Sequence, residues 1–274
     1  MNTAAFDAVA RDYDREFTHS LVGAAQRRTV WDVLDNCLRQ TGRPCSVLEL
    51  NCGTGEDALH MARAGHRVVA TDVSHAMLQV ARDKLARAGL GGAAQTRPLD
   101  LQALASGHVT AQELGGPFDL VFSNFGGLNC LSPEALQALA APLASCLAPG
   151  GQIIAVVMPR LCLWESAWAL LQLRPRLAAR RWRGGPVLAQ LSLGQPPLPV
   201  WFHGVHQMDG AWHTHFERTL VRPVGLAVPP SAREALASRA PGWLALMERL
   251  DRRWLTAAWG ARLSDHVLIQ YRRR

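Results

Sequence analysis

The stretch VLELNCGTGEDALHMARAGHRVVATD, from Val47 to Asp72, holds the first residues whose types and spacing could do chemistry. Gly53 and Gly55 let the backbone come close to a ligand, and Asp72 can accept hydrogen bonds from both hydroxyls of a ribose. Together they outline a pocket for a nucleoside. A second group is His203, His206, His213 and His215, crowded into one short span. H-x-x-H and H-x-H are metal-ligand spacings. The alternation of a strand would put His203 and His206 on opposite faces, so no metal is expected. A neutral imidazole near pH 7 suits a general base better, with His203 first and His206 second. A third group is a span without acids between Glu165 and Asp209, where Arg174, Arg176, Arg180, Arg181 and Arg183 fall. It is either a solvated helix face or a landing place for an anionic partner.

These residues need elements to hold them. SVLEL (46–50), RVVAT (67–71), AAQTRPL (93–99), FDLVFS (118–123) and QIIAVVM (152–158) read as strands, short and bounded by turn residues. Between them lie helical patterns. Glu56 and Asp57 suit the first turn of one, Gly65 its left-handed end, and Ser74 the cap of the next, whose apolar Met77, Leu78, Ala81 and Leu85 recur at helical spacing. Residues 132–151 read as a helix capped by Ser132 and stopped by Pro149-Gly150-Gly151, and residues 6–40 as one or two helices. Strands alternating with helices imply a parallel sheet covered on both faces, with ligands at the carboxyl ends of the strands. Those ends carry Glu49, Asp72, Asp100 and Ser123-Asn124, so four strands converge on one polar rim.

The glycine loop and Asp72 suit NAD and S-adenosylmethionine alike. Glu49, just before the loop, separates them: a pyrophosphate gains nothing from a carboxylate there, whereas S-adenosylmethionine has no phosphate and carries an ammonium and a sulfonium. Asp100 is placed to accept from an adenine amino group. In VLELNCGTGED, VVATDVSHAMLQVARDK, RPLDLQAL, FDLVFSNFGGLN and LAPGGQIIAV the chain resembles class I S-adenosylmethionine-dependent methyltransferases of the small-molecule type, over roughly residues 45–158. The resemblance implies an α/β, Rossmann-like, doubly wound and mostly parallel seven-stranded sheet with helices on both faces and an inserted, C-terminal helical cap. It implies that Glu49, Asn51, Gly53 and Gly55 line the methionine side and that Asp72, with Val73 beside it, holds the ribose. Met77 would pack near the adenine, Asp100 and Leu101 would flank its edge, and Ser123 and Asn124 would complete the rim. FDAVARDYD looks like the helix that closes over the cofactor, which brings in Tyr13. The family usually has glycine where this chain has Asn51, a residue type that tolerates positive φ.

The chain has 274 residues, 49% of them apolar, and a formal charge of +7. That suffices for a cofactor core, residues 1–158, and an acceptor-binding cap with closing strands, residues 159–274. The opening residues lack a secretory h-region, and IIAVVM is too short to cross a bilayer, so a cytoplasmic protein without a transmembrane segment is expected. The six cysteines show no regular spacing and read as reduced thiols. SNFGGLN lacks the Asn/Asp-Pro-Pro-aromatic turn of enzymes that methylate nucleic-acid bases, and no RNA-binding module precedes it, so the acceptor reads as a small molecule. Trp164, Trp168, Trp182, Trp201, Trp212, Trp243, Trp254 and Trp259 all follow Pro159 and either form a flat apolar wall or fill the core of the cap. In this half LCLWESAWALLQL reads as a helix, VWFHGVHQM (200–208) as a strand, RTLVRPVGLAV and DHVLIQYRR as closing strands, and PGWLALMERLDRRWLTAAWG as a helix between them. The expected reaction is O-methylation of an aromatic or acyl metabolite, free, anionic or carrier-bound, with histidine assistance. N-, C- or carboxyl methylation, a SAM-binding accessory protein without turnover, and an NAD-dependent oxidoreductase are the alternatives.

Overall fold

The computed structural model describes residues 4–182, 185–190 and 197–274. Its centre is a seven-stranded sheet in the order β3-β2-β1-β4-β5-β9-β8. The strands are β1 (Ser46–Leu50), β2 (Arg67–Asp72), β3 (Ala94–Pro98), β4 (Phe118–Ser123), β5 (Leu147–Val157), β8 (Phe216–Val224) and β9 (His266–Arg273). β1 to β5 run parallel, whereas β9 is antiparallel to both neighbours. β6 (Val187–Ala189) and β7 (Leu198–Val200) form a separate antiparallel pair.

Side-chain alternation sends neighbouring residues to opposite faces. Leu48, Leu50 and Val121 point into one core cluster, while Val47, Leu120 and Phe122 point into the other. Both faces are therefore buried, as the near-continuous apolar strands require. One face is covered by α2 (Leu21–Arg39), α3 (Glu56–Arg63) and α4 (His75–Arg87) through Leu34, Met61 and Leu78. The other is covered by α7 (Pro133–Ala138), α8 (Ala140–Cys146) and α11 (Val205–Trp212) through Leu136, Leu143 and Trp212. α5 (Leu101–Ala105) and α6 (Ala111–Leu114) extend this layer. Ser74 and Ser132 cap their helices by accepting from Met77 N and Ala135 N, as expected.

Several elements differ from the sequence reading. The region before β1 holds three helical pieces: α1 (Ala4–Val9), a π-helical turn at Asp14–Thr18, and α2. Helix 132–151 divides at Leu139. Pro142 has no N–H for the Ala138 carbonyl, which interrupts the ladder there. β5 begins at Leu147, so Pro149-Gly150-Gly151 forms an irregularity in the strand and not a helix stop; the pairing jumps from Phe118↔Leu147 to Leu120↔Gln152. VWFHGVHQM is not a strand: β7 ends at Val200, and α11 starts at Val205. Met208 and Trp212, four residues apart, are both fully buried, so the period is helical. Beyond these lie α9 (Leu163–Leu171), α10 (Pro175–Ala178), α12 (Glu234–Arg239) and α13 (Pro241–Arg253), the last ending before Trp254.

Among the described residues no helix is long and apolar enough to cross a membrane. All six cysteines are buried and free.

Candidate active site

The loop after β1 is built on left-handed backbone. Asn51 has φ +54°, Gly53 +52° and Gly55 +74°. Asparagine thus takes the conformation expected of it at position 51. Gly127 packs onto this turn so closely that a Cβ there would lie 2.4 Å from Asn51 Cβ. Gly55 heads α3, where a Cβ would lie 2.7 Å from Ala81 Cβ on α4. Gly55→Ala should therefore destabilise the protein by about 2–4 kcal/mol, from left-handed strain plus overpacking. Urea titration checks this, and a loss under 1 kcal/mol would mean the helices separate easily.

Asp72 locks the loop to the head of α4. Its Oδ2 accepts from Gly53 N–H at 2.9 Å and its Oδ1 from Ser74 N–H at 2.9 Å. Burial pushes its carboxyl up from the usual range, against these hydrogen bonds. The N-terminal segment covers the same rim: Ser74 Oγ donates to Asp7 at 2.5 Å, and Thr54 Oγ1 donates to Asp14 at 2.6 Å.

The pocket enclosed here is lined by seven of the expected residues: Tyr13, Asn51, Gly53, Asp72, Val73, Met77 and Asn124. Five others stand elsewhere. Glu49 is 1% exposed, and burial together with Asp57 holds its carboxyl well above the usual range. Gly55 serves helix packing. Asp100 caps α5 by accepting from Gln102 N–H at 2.8 Å, Leu101 is buried in the core, and Ser123 is buried at the end of β4. The acidic lining consists of Glu56, Asp57 and Asp72, so the carboxylate at the end of β1 is not part of it.

Arg27 is the largest addition to the sequence reading. It comes from α2, lines the pocket, is 7% exposed, and places Nη1 2.7 Å from Asp57 Oδ2. Asp57 also accepts from Trp31 Nε1 at 2.7 Å and from Asn124 Nδ2 at 3.0 Å. Burial works against the Arg27 charge, but Asp57 beside it raises its pKa above the usual value. A sequence signal existed: Gly23, Arg27, Val30 and Leu34 share one buried helix face, an unusual place for a lone arginine. Asp14, His19 and Glu56 come together as metal-ligand types do, but Lys84 Nζ sits 2.8 Å from both Asp14 and Glu56 and already offsets their charge.

A second cavity, of about 630 Å³, adjoins the first. The two share Phe6, Tyr13, Phe125, Gly126 and Cys130. Phe125 is at the junction with φ +44°, its N–H donating to Asn124 Oδ1 at 2.9 Å. The Arg27 guanidinium lies 4.9 Å over its ring, and His266 meets it edge-on at 5.4 Å. The tryptophans divide between the two roles weighed for them. Trp164 and Trp168 line the cavity, Trp212 fills the core, and Trp182, Trp254 and Trp259 are exposed.

His203 and His206, expected as bases, line neither cavity. His203 is fully buried with Nε2 3.0 Å from the Leu131 carbonyl, and burial lowers its pKa. His206 rides on α11 beside a separate groove with Arg160 and Trp259. His213 and His215 also lie outside both cavities. Of these only His206 lies on the helix at 205–212; His203 precedes it, with its ring at the Leu131 carbonyl, and His213 and His215 follow it. The histidine that does line the second cavity is His266, the first residue of β9. In the arginine span, Arg180 and Arg181 are already paired, both with Glu165 and Arg181 also with Asp265. Arg174 and Arg176 are exposed, and Arg183 lies outside the described residues.

A mostly parallel sheet in this strand order, with a glycine turn after its first central strand and an aspartate ending the next, defines a class I methyltransferase fold. Residues 47–151 match the methyltransferase domain family, and the fold is the one found in class I S-adenosylmethionine-dependent methyltransferases. The chain is 30% identical over 156 residues to ribosomal protein L11 methyltransferase of Rhizobium etli, covering 56% of this chain and 49% of that one. It is 29% identical over 190 residues to malonyl-[acyl-carrier protein] O-methyltransferase of Erwinia pyrifoliae, covering 69% and 63%. The chain therefore spans about half to two thirds of the length of these curated relatives. Magnesium protoporphyrin IX methyltransferase of Synechocystis PCC 6803, solved with bound S-adenosylhomocysteine, superposes with a TM-score of 0.57 at 16% identity, covering 100% of this chain and 96% of that one.

The chemistry of the pocket fits such a cofactor. Arg27 Nε and Asn51 Oδ1, both on residues of the pocket wall, are buried without a hydrogen-bond partner among the described residues, one donor and one acceptor of the kind an amino-acid ligand requires. The pocket holds about 100 Å³ and shares its wall at Phe6, Tyr13 and Phe125 with the larger second cavity.

Proposed function

We propose that the protein methylates a small, largely apolar acceptor, at oxygen, with S-adenosylmethionine as donor. One observation carries the reading: the nucleoside-type pocket and an aromatic cavity meet at a common wall of Phe6, Tyr13, Phe125, Gly126 and Cys130. Residues 1–158 supply the cofactor side and residues 159–274 most of the acceptor side. Asp72 holds the ribose, Val73 and Met77 flank the adenine, Asn51 and Gly53 face the methionine portion, and Arg27 receives its carboxylate.

The sulfonium supplies the methyl group as an activated electrophile. The protein's own task is to align the acceptor, exclude water and handle a proton. Tyr13 and Phe125 close the wall between the cavities. Burial raises the Tyr13 phenol to about 12 despite the nearby Arg27, so at neutral pH it can donate a hydrogen bond but not act as a base. A carboxylate acceptor, free or carrier-bound, finds Arg180 and Arg181 already neutralised by Glu165 and Asp265. That favours a hydroxyl.

The test is release of S-adenosylhomocysteine with a panel of phenols and carboxylic acids, beside thermal shifts with S-adenosylhomocysteine and NADH. Stabilisation by NADH alone would overturn the cofactor; turnover of carboxylic acids alone would overturn the acceptor. Trp168 is stacked under Arg233, whose guanidinium is 4.1 Å from its ring. Trp168→Ala should raise the acceptor KM about tenfold, equivalent to about 1.4 kcal/mol of lost contact. S-adenosylhomocysteine affinity should stay unchanged, since Trp168 does not line the cofactor pocket.

A further inference from the structure

We propose that His266 is the general base that takes the acceptor's hydroxyl proton, and that Asp265 is the positioning residue that orients its ring. This rests on the methyltransferase reading above and adds to it the acceptor class, a phenol or enol, since a carboxylic acid is already ionised at neutral pH and needs no base.

The placement follows from strand direction. β9 runs against β5, with Val267 opposite Val157, so its first residue reaches the rim where the parallel strands end. His266 is 7% exposed, lines the aromatic cavity, and touches the Phe125 ring that bounds both cavities. Its Nδ1 lies 3.3 Å from Asp265 Oδ2, at ion-pair distance though off the line of a full hydrogen bond. A small ring rotation completes that bond, fixes the proton on Nδ1 and leaves Nε2 as the acceptor.

Asp265 is itself anchored. Its Oδ1 accepts from Arg181 Nη2 at 3.0 Å and its Oδ2 from Gln26 Nε2 at 3.3 Å, with Cys162 Sγ 3.8 Å from Oδ1. Burial pushes its carboxyl up, but His266 and Arg181 hold it far below the usual carboxylate range. The charged and titratable groups around the ring are therefore Asp265, Arg181 and Glu165 on the cap side, Cys162 beside Asp265, and Arg27 and Tyr13 across Phe125.

The other groups on the cavity wall are unsuited to the task. Burial raises Cys130 to about 12, as it does Tyr13, so neither is ionised at neutral pH. Glu165 is held by Arg180 and Arg181, and Glu16 is exposed.

In the step itself the hydroxyl proton passes to Nε2, and an oxygen electron pair forms the new bond to the methyl carbon. The carbon–sulfur pair stays on sulfur, which becomes a neutral thioether. The imidazolium then returns its proton to solvent, so no oxidant or further reactant is required.

The test compares the wild type with His266→Gln and Asp265→Asn, using 4-nitrophenol and 4-methylphenol as probes. With S-adenosylhomocysteine bound, 4-nitrophenol held by the wild type at a pH below its own ionisation should show the visible band of the phenolate, and H266Q should lose that band. In turnover, H266Q should lower kcat for 4-methylphenol by about 10²–10⁴-fold. With 4-nitrophenol at a pH where it is already ionised, the loss should be under about tenfold. D265N should show the same pattern with a smaller kcat loss and little change in KM. Calorimetric affinity for S-adenosylhomocysteine should be unchanged in H266Q, which separates lost chemistry from lost folding. A phenolate band that survives in H266Q, or equal losses with both phenols, would overturn the proposal. So would a wild type that binds S-adenosylhomocysteine but neither binds nor methylates a phenol. A wild type that fails to bind S-adenosylhomocysteine would instead overturn the underlying reading.

Discussion

Asp72→Ala is expected to weaken S-adenosylhomocysteine binding at least ~100-fold, measured by titration calorimetry. Hydrogen bonds to a charged acceptor contribute about 1.5–3 kcal/mol each, and two ribose hydroxyls would share this carboxylate. About 3 kcal/mol, the lower sum, already corresponds to ~100-fold. Asp72 also holds Gly53 N–H and Ser74 N–H, so its removal frees the turn that faces the ligand. The fold itself should survive, because Ser74 still caps α4 through Met77 N–H. Asp72→Asn keeps one acceptor oxygen and should fall between the two. An affinity that does not move in the alanine variant would mean that the ribose lies elsewhere.

Arg27→Leu should cost about 3–5 kcal/mol of stability, because it leaves a buried carboxylate without its cation. The side chains of Arg27 and Asp57 are only 8% and 6% exposed, so water cannot replace the partner. Trp31 and Asn124 still donate to Asp57, which places the expected loss toward the lower end of that span. Arg27→Lys keeps the charge and should recover part of the stability, but not the fork geometry that receives a carboxylate. Urea titration of the three proteins gives the answer. A loss below about 1 kcal/mol would show that the pair behaves as a solvated surface bridge.

The cofactor side was legible because it is local in sequence. The turn at 51–55 and Asp72 sit on consecutive elements, and their chemistry follows from residue type and spacing. The acceptor side depends on how distant segments meet. His266 reaches the cavity only because β9 runs antiparallel and lies next to β5, and no spacing within DHVLIQYRR reveals that. His203 and His206 were misread through the wrong period. Loose alternation suggested a strand, but Gly204 opens a helix whose Met208 and Trp212 pack inward. Asp100 shows a different ambiguity: an acid after a strand is equally an acid before a helix, and here it accepts from Gln102 N–H. Glu49 was assigned to the lining from its position before the loop, but its side chain is 1% exposed and does not line the pocket. Arg27 was passed over because arginines on a long amphipathic helix usually face water.

Phe125 is one ring with two neighbourhoods: it borders both cavities, lies under the Arg27 guanidinium and meets the edge of His266. A shift of that ring on entry of one molecule would alter the wall of the other cavity. Thermodynamics makes the effect mutual, so whatever factor the donor contributes to the acceptor's affinity, the acceptor returns to the donor. On the proposed function, Phe125 would make donor and acceptor binding cooperative through a single side chain, and a ternary complex would form by either order of addition with the same overall free energy.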